Sequence, residues 1–125
     1  MRLLLDTNIL LWLMGSGPEL RGQARSLIID AEQVFVSPIS LWEIAIKRQL
    51  GKMQEDADLI AEQLESAGLR ELPVSHRHAL AVGRLPLLHR DPFDRILVAQ
   101  AMTETMRLLT ADRQLAAYSE LVITV

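Results

Sequence analysis

The chain has 125 residues, of which 50% are hydrophobic, and its 13 basic and 16 acidic residues give a formal net charge of −3. This length suits a single domain, residues 1–125, with one hydrophobic core. Because cysteine is absent, disulfides and thiolate metal sites are excluded, and any metal must be held by oxygen or imidazole. The small negative charge permits a nucleic-acid partner but does not indicate one.

The apolar N-terminal stretch is interrupted by the polar side chains of Asp6 and Asn8. A carboxylate and an amide at its centre make this stretch too costly and too short to span a bilayer. We therefore expect a soluble, cytoplasmic protein with no membrane segment.

Short apolar runs, typical of buried strands, alternate with amphipathic segments, typical of helices. In chain order, the sequence predicts a strand at 3–5, a helix at 24–29, a strand at 34–36, helices at 39–50 and 59–67, a strand at 69–73, helices at 78–83 and 93–106, and strands at 108–110 and 121–125. The helix at 39–50 places Ile39, Trp42, Ile46 and Leu50 on one face, and Gly51 follows as its C-terminal stop. The alternation predicts a three-layer α/β/α domain around a parallel sheet.

Four acids stand close to the carboxyl ends of the predicted strands or in the segments that follow them. These acids are Asp6, Glu43, Asp94 and Asp112, and the third of them follows the longest irregular segment, 83–92. In an open α/β sheet, ligands bind outside the carboxyl ends of the strands. The four acids are therefore expected to converge on one edge of the sheet.

Each acid also has an ordinary structural explanation. Asp112 suits the cap of a helix that begins near residue 111, and Asp94, three residues after Asp91, suits a capping box. Glu43 precedes Lys47 by four residues and suits a surface ion pair. Asp6 is the hardest to explain in this way, because a carboxylate at the end of a buried central strand must be paired or bound to a metal.

Four carboxylates within about 6 Å of one another repel by roughly 3 kcal/mol per pair at an effective dielectric constant of about 20. A hard dication such as Mg²⁺ or Mn²⁺ removes this repulsion and prefers carboxylate ligands. With a metal-activated water as the attacking group, no side-chain nucleophile is needed. This agrees with the absence of cysteine and of the GxSxG and GxxxxGK[ST] motifs.

The segments around these acids resemble those of the PIN-domain nucleases and, within them, the VapC-like toxins of bacterial toxin-antitoxin pairs. The resemblance is carried by LLLDTNILLWL from Leu3, VSPISLWEIAIK from Val36, RDPFDRILVAQA from Arg90 and LLTADRQL from Leu108. It implies one PIN domain with a central parallel sheet of about five strands, and endonucleolytic cleavage of RNA by a metal-activated water.

The resemblance further implies that Mg²⁺ or Mn²⁺ is bound by Asp6, Glu43, Asp94 and Asp112, and that Asn8 and Thr110 support these acids by hydrogen bonding. It implies a cognate antitoxin that covers the groove of the toxin and inserts a basic side chain among the carboxylates. Homodimers, or heterotetramers and larger toxin-antitoxin assemblies, are the expected oligomers.

Several other residues near these segments have more than one interpretation. Arg95 faces either the substrate or a neighbouring carboxylate, since its guanidinium suits both. Lys47 lies in a modest basic patch with Arg48 and Lys52, which is either a contact for RNA or a solvated helix face. His89, beside Arg90, either touches phosphate or belongs to an ordinary polar loop.

Two further pairs of residues invite a functional interpretation. His76 and His78 are too poor a set for a zinc site without a third ligand, so we expect them to be solvated or capping. Trp12 and Trp42 stand on apolar helix faces, where large aromatics usually pack in the core. The alternative is that the apolar residues 10–13 line a groove for an antitoxin or a second copy.

Two other functions compete with a ribonuclease. In a phosphatase resembling the haloacid dehalogenase family, Asp6 is a covalent nucleophile, but Asn8 stands where such enzymes have a second aspartate. In a non-catalytic binding module on the same scaffold, at least one of the four acids would be expected to be lost. All four are present.

Overall fold

The computed structural model describes residues 1–16, 20 and 22–125. These residues include five strands, which are β1 (Arg2–Leu5), β2 (Gln33–Val36), β3 (Leu69–Glu71), β4 (Arg107–Thr110) and β5 (Val122–Thr124). They form one sheet in the order β3-β2-β1-β4-β5, and every neighbouring pair is parallel. The predicted parallel sheet of about five strands is confirmed.

Strand β3 ends earlier than the sequence predicted, at Glu71 instead of residue 73. The backbone N–H of Leu72 still donates to the carbonyl of Val36 at 2.9 Å. Pro73 has no N–H with which to continue the hydrogen bonds between the strands, so pairing stops there.

Six α-helices and two short helical turns lie in the described ranges. The helices are α1 (Thr7–Leu11), α2 (Gly22–Asp30), α3 (Pro38–Gln49), α4 (Ala57–Leu64), α5 (His76–Val82) and α6 (Pro92–Glu104). A π-helical turn, Trp12–Ser16, follows α1, and a 3₁₀ helix, Arg113–Tyr118, follows β4. No helix in these ranges combines the length and the apolar character needed to cross a membrane.

Helix α3 begins and ends one residue before the predicted bounds and does not bury the predicted face. Ser37 caps it, Pro38 begins it, and Gly51 follows its end with a φ of 74° that favours glycine. Its buried residues are Ile39, Ser40, Glu43 and Ile44, whereas Trp42 and Leu50 are exposed. The apolar pattern gave the wrong face because two polar side chains, Ser40 and Glu43, are buried among hydrogen-bond partners.

The sheet separates two hydrophobic clusters, as alternation along β1 requires. One cluster contains Leu3, Leu5, Ile44 of α3 and Ile60 of α4. The other contains Leu4 together with residues of α6 such as Leu97 and Val98. The three-layer α/β/α architecture is therefore confirmed.

The strand order reverses direction at β1. From β1 the chain proceeds outward to β2 and β3, then returns to the other side of β1 for β4 and β5. The carboxyl ends of β1 and β4 thus flank the crevice in which α/β sheets bind their ligands. Asp6 follows β1, its backbone N–H donates to the carbonyl of Leu109 at 2.9 Å, and Asp112 lies two residues after the end of β4.

Candidate active site

Asp6 caps helix α1 and is 5% exposed. Its Oδ1 accepts from the backbone N–H of Thr7 at 2.7 Å, and its Oδ2 accepts from the hydroxyl of Thr110 at 2.6 Å. Burial raises the pKa of the Asp6 carboxyl, the two hydrogen bonds oppose that rise, and the charges of Glu43 and Asp112 add to it. The central strand therefore ends in a buried acid whose two oxygens are both fixed by protein donors.

Glu43 projects from α3 toward the same place and is also 5% exposed. Its Oε1 accepts from the hydroxyl of Thr7 at 2.7 Å, and its Oε2 accepts from Nζ of Lys47 at 2.6 Å. The hydrogen bond with Glu43 raises the pKa of the Lys47 ammonium. The predicted pair of Glu43 and Lys47 is thus present, but its acidic partner is buried and not on the surface.

Thr7 joins these two acids, which we call the inner pair, because it donates to Asp6 through its backbone and to Glu43 through its hydroxyl. Its hydroxyl also lies 3.0 Å from that of Ser40. Sequence reasoning missed both residues. A threonine directly after the acid that ends the first strand was the available indication for Thr7.

Asp94 lies in the first turn of α6 without capping it. The cap is Asp91, whose Oδ1 accepts from the backbone N–H groups of Phe93 and Asp94 at 2.8 and 3.2 Å. The Asp94 carboxylate instead faces His89, with 2.9 Å between Oδ2 and Nε2. Burial, with the nearby charge of Asp6 as the next cause, raises the pKa of Asp94 to about 7 despite the hydrogen bond from His89.

Asp112 has the capping role that its sequence position suggested, and its second oxygen faces the other acids. Its Oδ1 caps the 3₁₀ helix by accepting from the backbone N–H of Gln114 at 2.9 Å, and its Oδ2 lies 3.5 Å from Nε2 of His89. Its own backbone N–H donates to the hydroxyl of Thr110 at 3.0 Å. We call His89, Asp94 and Asp112 the outer group.

Shared partners connect the inner pair with the outer group. Thr110 is bonded to both Asp6 and Asp112, and His89 bridges Asp112 and Asp94. The structure therefore brings all four sequence-predicted acids to one edge of the sheet, and Thr110 makes the supporting hydrogen bond that the resemblance implied.

Asn8 does not support the acids in this way. It is exposed on α1, and across residues 1–16, 20 and 22–125 its amide makes no hydrogen bond to any of the four carboxylates. The backbone and hydroxyl of Thr7 serve the inner pair instead. This expectation was wrong because a side chain at the second position of α1 faces solvent.

Arg95 was expected to face the substrate or a carboxylate, and this expectation also requires correction. The side chain is buried, and its guanidinium donates to the carbonyls of Pro86 and Val82 at 2.9 and 3.1 Å and to the hydroxyl of Tyr118 at 3.1 Å. Arg95 thus braces the loop that precedes α6. The backbone N–H of His89 donates to the same Tyr118 hydroxyl at 2.9 Å.

The three histidines have three different environments. His76 is exposed, whereas His78 is buried, forms a capping box with Ser75 and lies 2.8 Å from Glu104 through Nε2. These two agree with the solvated and capping roles expected of them. His89 is not part of an ordinary polar loop, because its imidazole lies between two of the acids.

The two tryptophans differ in exposure. Trp42 is 57% exposed and meets Phe93 edge to face, with ring centroids 5.1 Å apart, so its expected place in the core was wrong. Trp12 is partly buried and packs against the cluster that contains Leu3. It also lines an open cavity of about 370 Å³ together with Leu13, Leu20, Arg25, Ile28 and Ile29.

The donors gathered here fit a divalent metal ion by their chemistry. One ligand atom each from His89, Asp94 and Asp112 lies within 4.8 Å of the others. Carboxylate oxygens are preferred by Mg²⁺ and Mn²⁺, and an imidazole nitrogen extends the set toward transition metals. Burial is the largest cause of the raised pKa values of Asp6 and Asp94, and the charges of neighbouring carboxylates add to it, so a bound cation would favour the ionised forms of both acids.

Comparisons with known proteins show the family and the fold of the chain. The family described as the PIN domain matches residues 3–121 of the chain. VapBC2 from Rickettsia felis, solved with a DNA fragment from its promoter, is similar with a TM-score of 0.71 and 18% identity, covering 100% of this chain and 98% of that one. A toxin-antitoxin complex from Klebsiella pneumoniae is similar with a TM-score of 0.66 and 23% identity, covering 97% of this chain and 95% of that one.

One short match lies outside this group. Over 42 residues, the chain is 48% identical to the guanylate kinase of Corynebacterium glutamicum. The matched stretch is 34% of this chain but only 22% of that enzyme. This chain has no GxxxxGK[ST] phosphate loop. The match therefore carries no inference about activity.

Proposed function

Because the chain belongs to the PIN-domain family, we propose that it is an Mg²⁺- or Mn²⁺-dependent endoribonuclease that acts in the cytoplasm as the toxin of a toxin-antitoxin pair. The proposal is supported above all by one observation. The carboxylates of Asp6, Glu43, Asp94 and Asp112 converge around the crevice at the carboxyl ends of β1 and β4. Hydrolysis adds water across a phosphorus–oxygen bond and leaves one phosphate end and one hydroxyl end.

The four acids are proposed to hold the metal ion. When bound, a divalent cation supplies the Lewis acidity that activates water and neutralises charge on the scissile phosphate. Hydrogen bonds from Thr7, Thr110 and Lys47 hold the carboxylates of the inner pair in place. Each carboxylate oxygen offers two acceptor sites, so these hydrogen bonds leave capacity for a further ligand.

The proposed partner is a cognate antitoxin, in a homodimeric or larger toxin-antitoxin assembly. The Klebsiella pneumoniae structure is itself a toxin-antitoxin complex, which supports a partner of this kind. A basic side chain of the antitoxin would be attracted to the outer group, since Asp94 is surrounded by the negative charges of Asp6, Asp91 and Glu43.

The test uses the purified chain and total cellular RNA with Mg²⁺, with Mn²⁺ or with a chelator, and the ends of the fragments are sequenced. We expect cleavage with either metal and none with the chelator. Asp94→Asn should lower the cleavage rate by at least about a hundredfold, because even residues that only support metal ligands cost 10- to 100-fold when removed. Glu62→Gln, which removes an exposed acid of α4, is the matched control and should cleave normally.

Induced expression gives a second readout in cells. Growth should stop when the wild-type chain is expressed, continue with Asp94→Asn, and resume when the protein encoded by a small neighbouring reading frame is supplied. RNA that stays intact under all metal conditions, with a folded wild-type chain, would overturn the proposed function.

A further inference from the structure

His89 lies at the centre of the outer group although no acid motif includes it. Its Nε2 is 2.9 Å from Oδ2 of Asp94 and 3.5 Å from Oδ2 of Asp112. Ligands at about 2.1 Å from an octahedral ion stand about 3.0 Å apart when they are adjacent, since that edge is √2 times the bond length. The 2.9 Å distance matches this spacing, the 3.5 Å distance exceeds it by about 0.5 Å, and all three donor atoms lie within 4.8 Å of one another, so small side-chain movements would bring them onto one ion.

The position of His89 is fixed by the fold. Its backbone N–H donates to the hydroxyl of Tyr118, and that hydroxyl also accepts from Arg95, which is buried and bonded to the carbonyls of Pro86 in the same loop and of Val82 at the end of α5. Supporting contacts of this kind orient metal ligands in advance of binding. A histidine that belonged only to a solvated loop would need no such support.

We propose that His89 is a ligand of the divalent cation through Nε2, together with Asp94 and Asp112, and that its nitrogen makes the site prefer Mn²⁺ to Mg²⁺. This inference rests on the proposed metal-dependent function and adds a nitrogen to its four carboxylates. Mg²⁺ is a hard ion that favours oxygen, whereas transition-metal ions bind imidazole more readily. Ligation through Nε2 requires the tautomer in which Nδ1 carries the proton.

A different role for His89 predicts the opposite effect of its removal. If the imidazole is a positive group that occupies the place of the metal ion, the ion must displace it. Removing His89 would then strengthen metal binding. If His89 is a ligand, removing it weakens metal binding, so the sign of the change separates the two roles.

The first test measures Mn²⁺ and Mg²⁺ binding to the full chain by calorimetry. His89→Gln should raise the Kd for Mn²⁺ by at least about tenfold, with a smaller change for Mg²⁺. His76→Gln is the matched control, because His76 is exposed and lies outside the cluster, and it should bind both metals like the wild type. Unchanged or tighter Mn²⁺ binding by His89→Gln would overturn the inference.

The second test detects the nitrogen ligand directly. Pulsed electron paramagnetic resonance of bound Mn²⁺ should show coupling to imidazole nitrogen, and the coupling should change when the chain is labelled with ¹⁵N-histidine. His89→Gln should lose the coupling and His76→Gln should keep it. Bound Mn²⁺ without nitrogen coupling would overturn the role of His89 and leave the proposed function standing, whereas a wild-type chain that binds neither metal would overturn both.

Discussion

All four carboxylate oxygens of the inner pair accept a hydrogen bond from a protein donor, whereas the outer group depends largely on one imidazole. Asp6 and Glu43 are served by Thr7, Thr110 and Lys47. Within the part of the chain that the structure describes, Asp94 has a single hydrogen bond to its carboxylate, from His89. The inner pair is therefore built into the fold, and the outer group stays available to a ligand from outside.

The difference follows from the elements that carry the two sets. The inner pair stands at the end of the central strand and on the buried face of α3, where an unsatisfied carboxylate would cost several kcal/mol. The outer group is held by the loop before α6, by the first turn of α6 and by the segment after β4, and its side chains are partly exposed. An exposed acid tolerates a missing donor, because water or a metal ion takes that place.

The largest expected effect is the loss of stability when Arg95, which holds the loop that carries His89, is replaced. Arg95→Met should lower the free energy of unfolding by about 3 kcal/mol, because three hydrogen bonds made by a buried side chain lose their donor. Denaturant unfolding measures this loss. Arg90→Met, an exposed arginine of the same loop, is the control and should change stability by less than about 0.5 kcal/mol. Equal stability of the two variants would show that Arg95 does not brace the loop.

The next effect concerns the inner pair. Lys47→Met should destabilise the protein by about 1.5 kcal/mol in chelator, because Glu43 loses its cationic partner while it stays buried. The value is smaller than for a fully buried pair because Lys47 is 35% exposed. Lys52→Met, at an exposed position just after α3, provides the comparison. If both variants unfold at the same denaturant concentration, the pair contributes nothing to stability.

A smaller effect of opposite sign is expected in the outer group. Asp94→Asn should raise the free energy of unfolding by about 1 kcal/mol in chelator near pH 8, since it removes a charge that Asp6, Asp91 and Glu43 repel. Asp6→Asn should give no such gain, because Thr7 and Thr110 donate to different oxygens of Asp6, and the amide nitrogen that replaces one of these oxygens cannot accept. Thermal unfolding of the two variants compares them, and an Asp94→Asn variant less stable than the wild type would contradict this account.

The smallest effect is the pH dependence of that gain. The pKa of Asp94 is raised from 3.8 to about 7, so between these values the folded state keeps a proton that the unfolded state has lost. Without metal, the wild type should therefore lose stability as the pH rises through this window. The advantage of Asp94→Asn should shrink steadily as the pH falls from 7 and vanish only below about pH 4, where the carboxyl is protonated in both the folded and the unfolded state. If the stability advantage of Asp94→Asn stays constant from pH 5 to pH 8, the ionisation of Asp94 is not its cause.

The sequence predicted the sheet and the convergence of the four acids at one edge, because both depend on local pattern. Apolar runs end at Asp6 and shortly before Asp112, and the carboxyl ends of parallel strands meet at one edge whatever the details of the loops. The buried face of α3 was not predictable in the same way. An apolar pattern cannot reveal that Ser40 and Glu43 are buried, because their partner Thr7 comes from another element.

The contacts of His89 and Arg95 were even harder to predict from the sequence. The partners of Arg95 are the carbonyls of Val82 and Pro86 and the hydroxyl of Tyr118, which the conformation of a loop brings together. Nothing in the identity of those residues marks them as acceptors for this guanidinium. A polar loop beside an acidic cluster is thus the kind of segment where sequence reasoning is least informative.

The backbone bond from Asp6 to Leu109 has a consequence for hydrogen exchange. Because this amide is paired in the middle of the sheet, it should exchange with deuterium only when the sheet opens as a whole. The amide of His89, bonded to a tyrosine hydroxyl at the edge of a loop, should exchange through a local opening. The side of the crevice formed by Asp6 should therefore persist for as long as the native state itself, whereas the side formed by His89 should open many times within that lifetime.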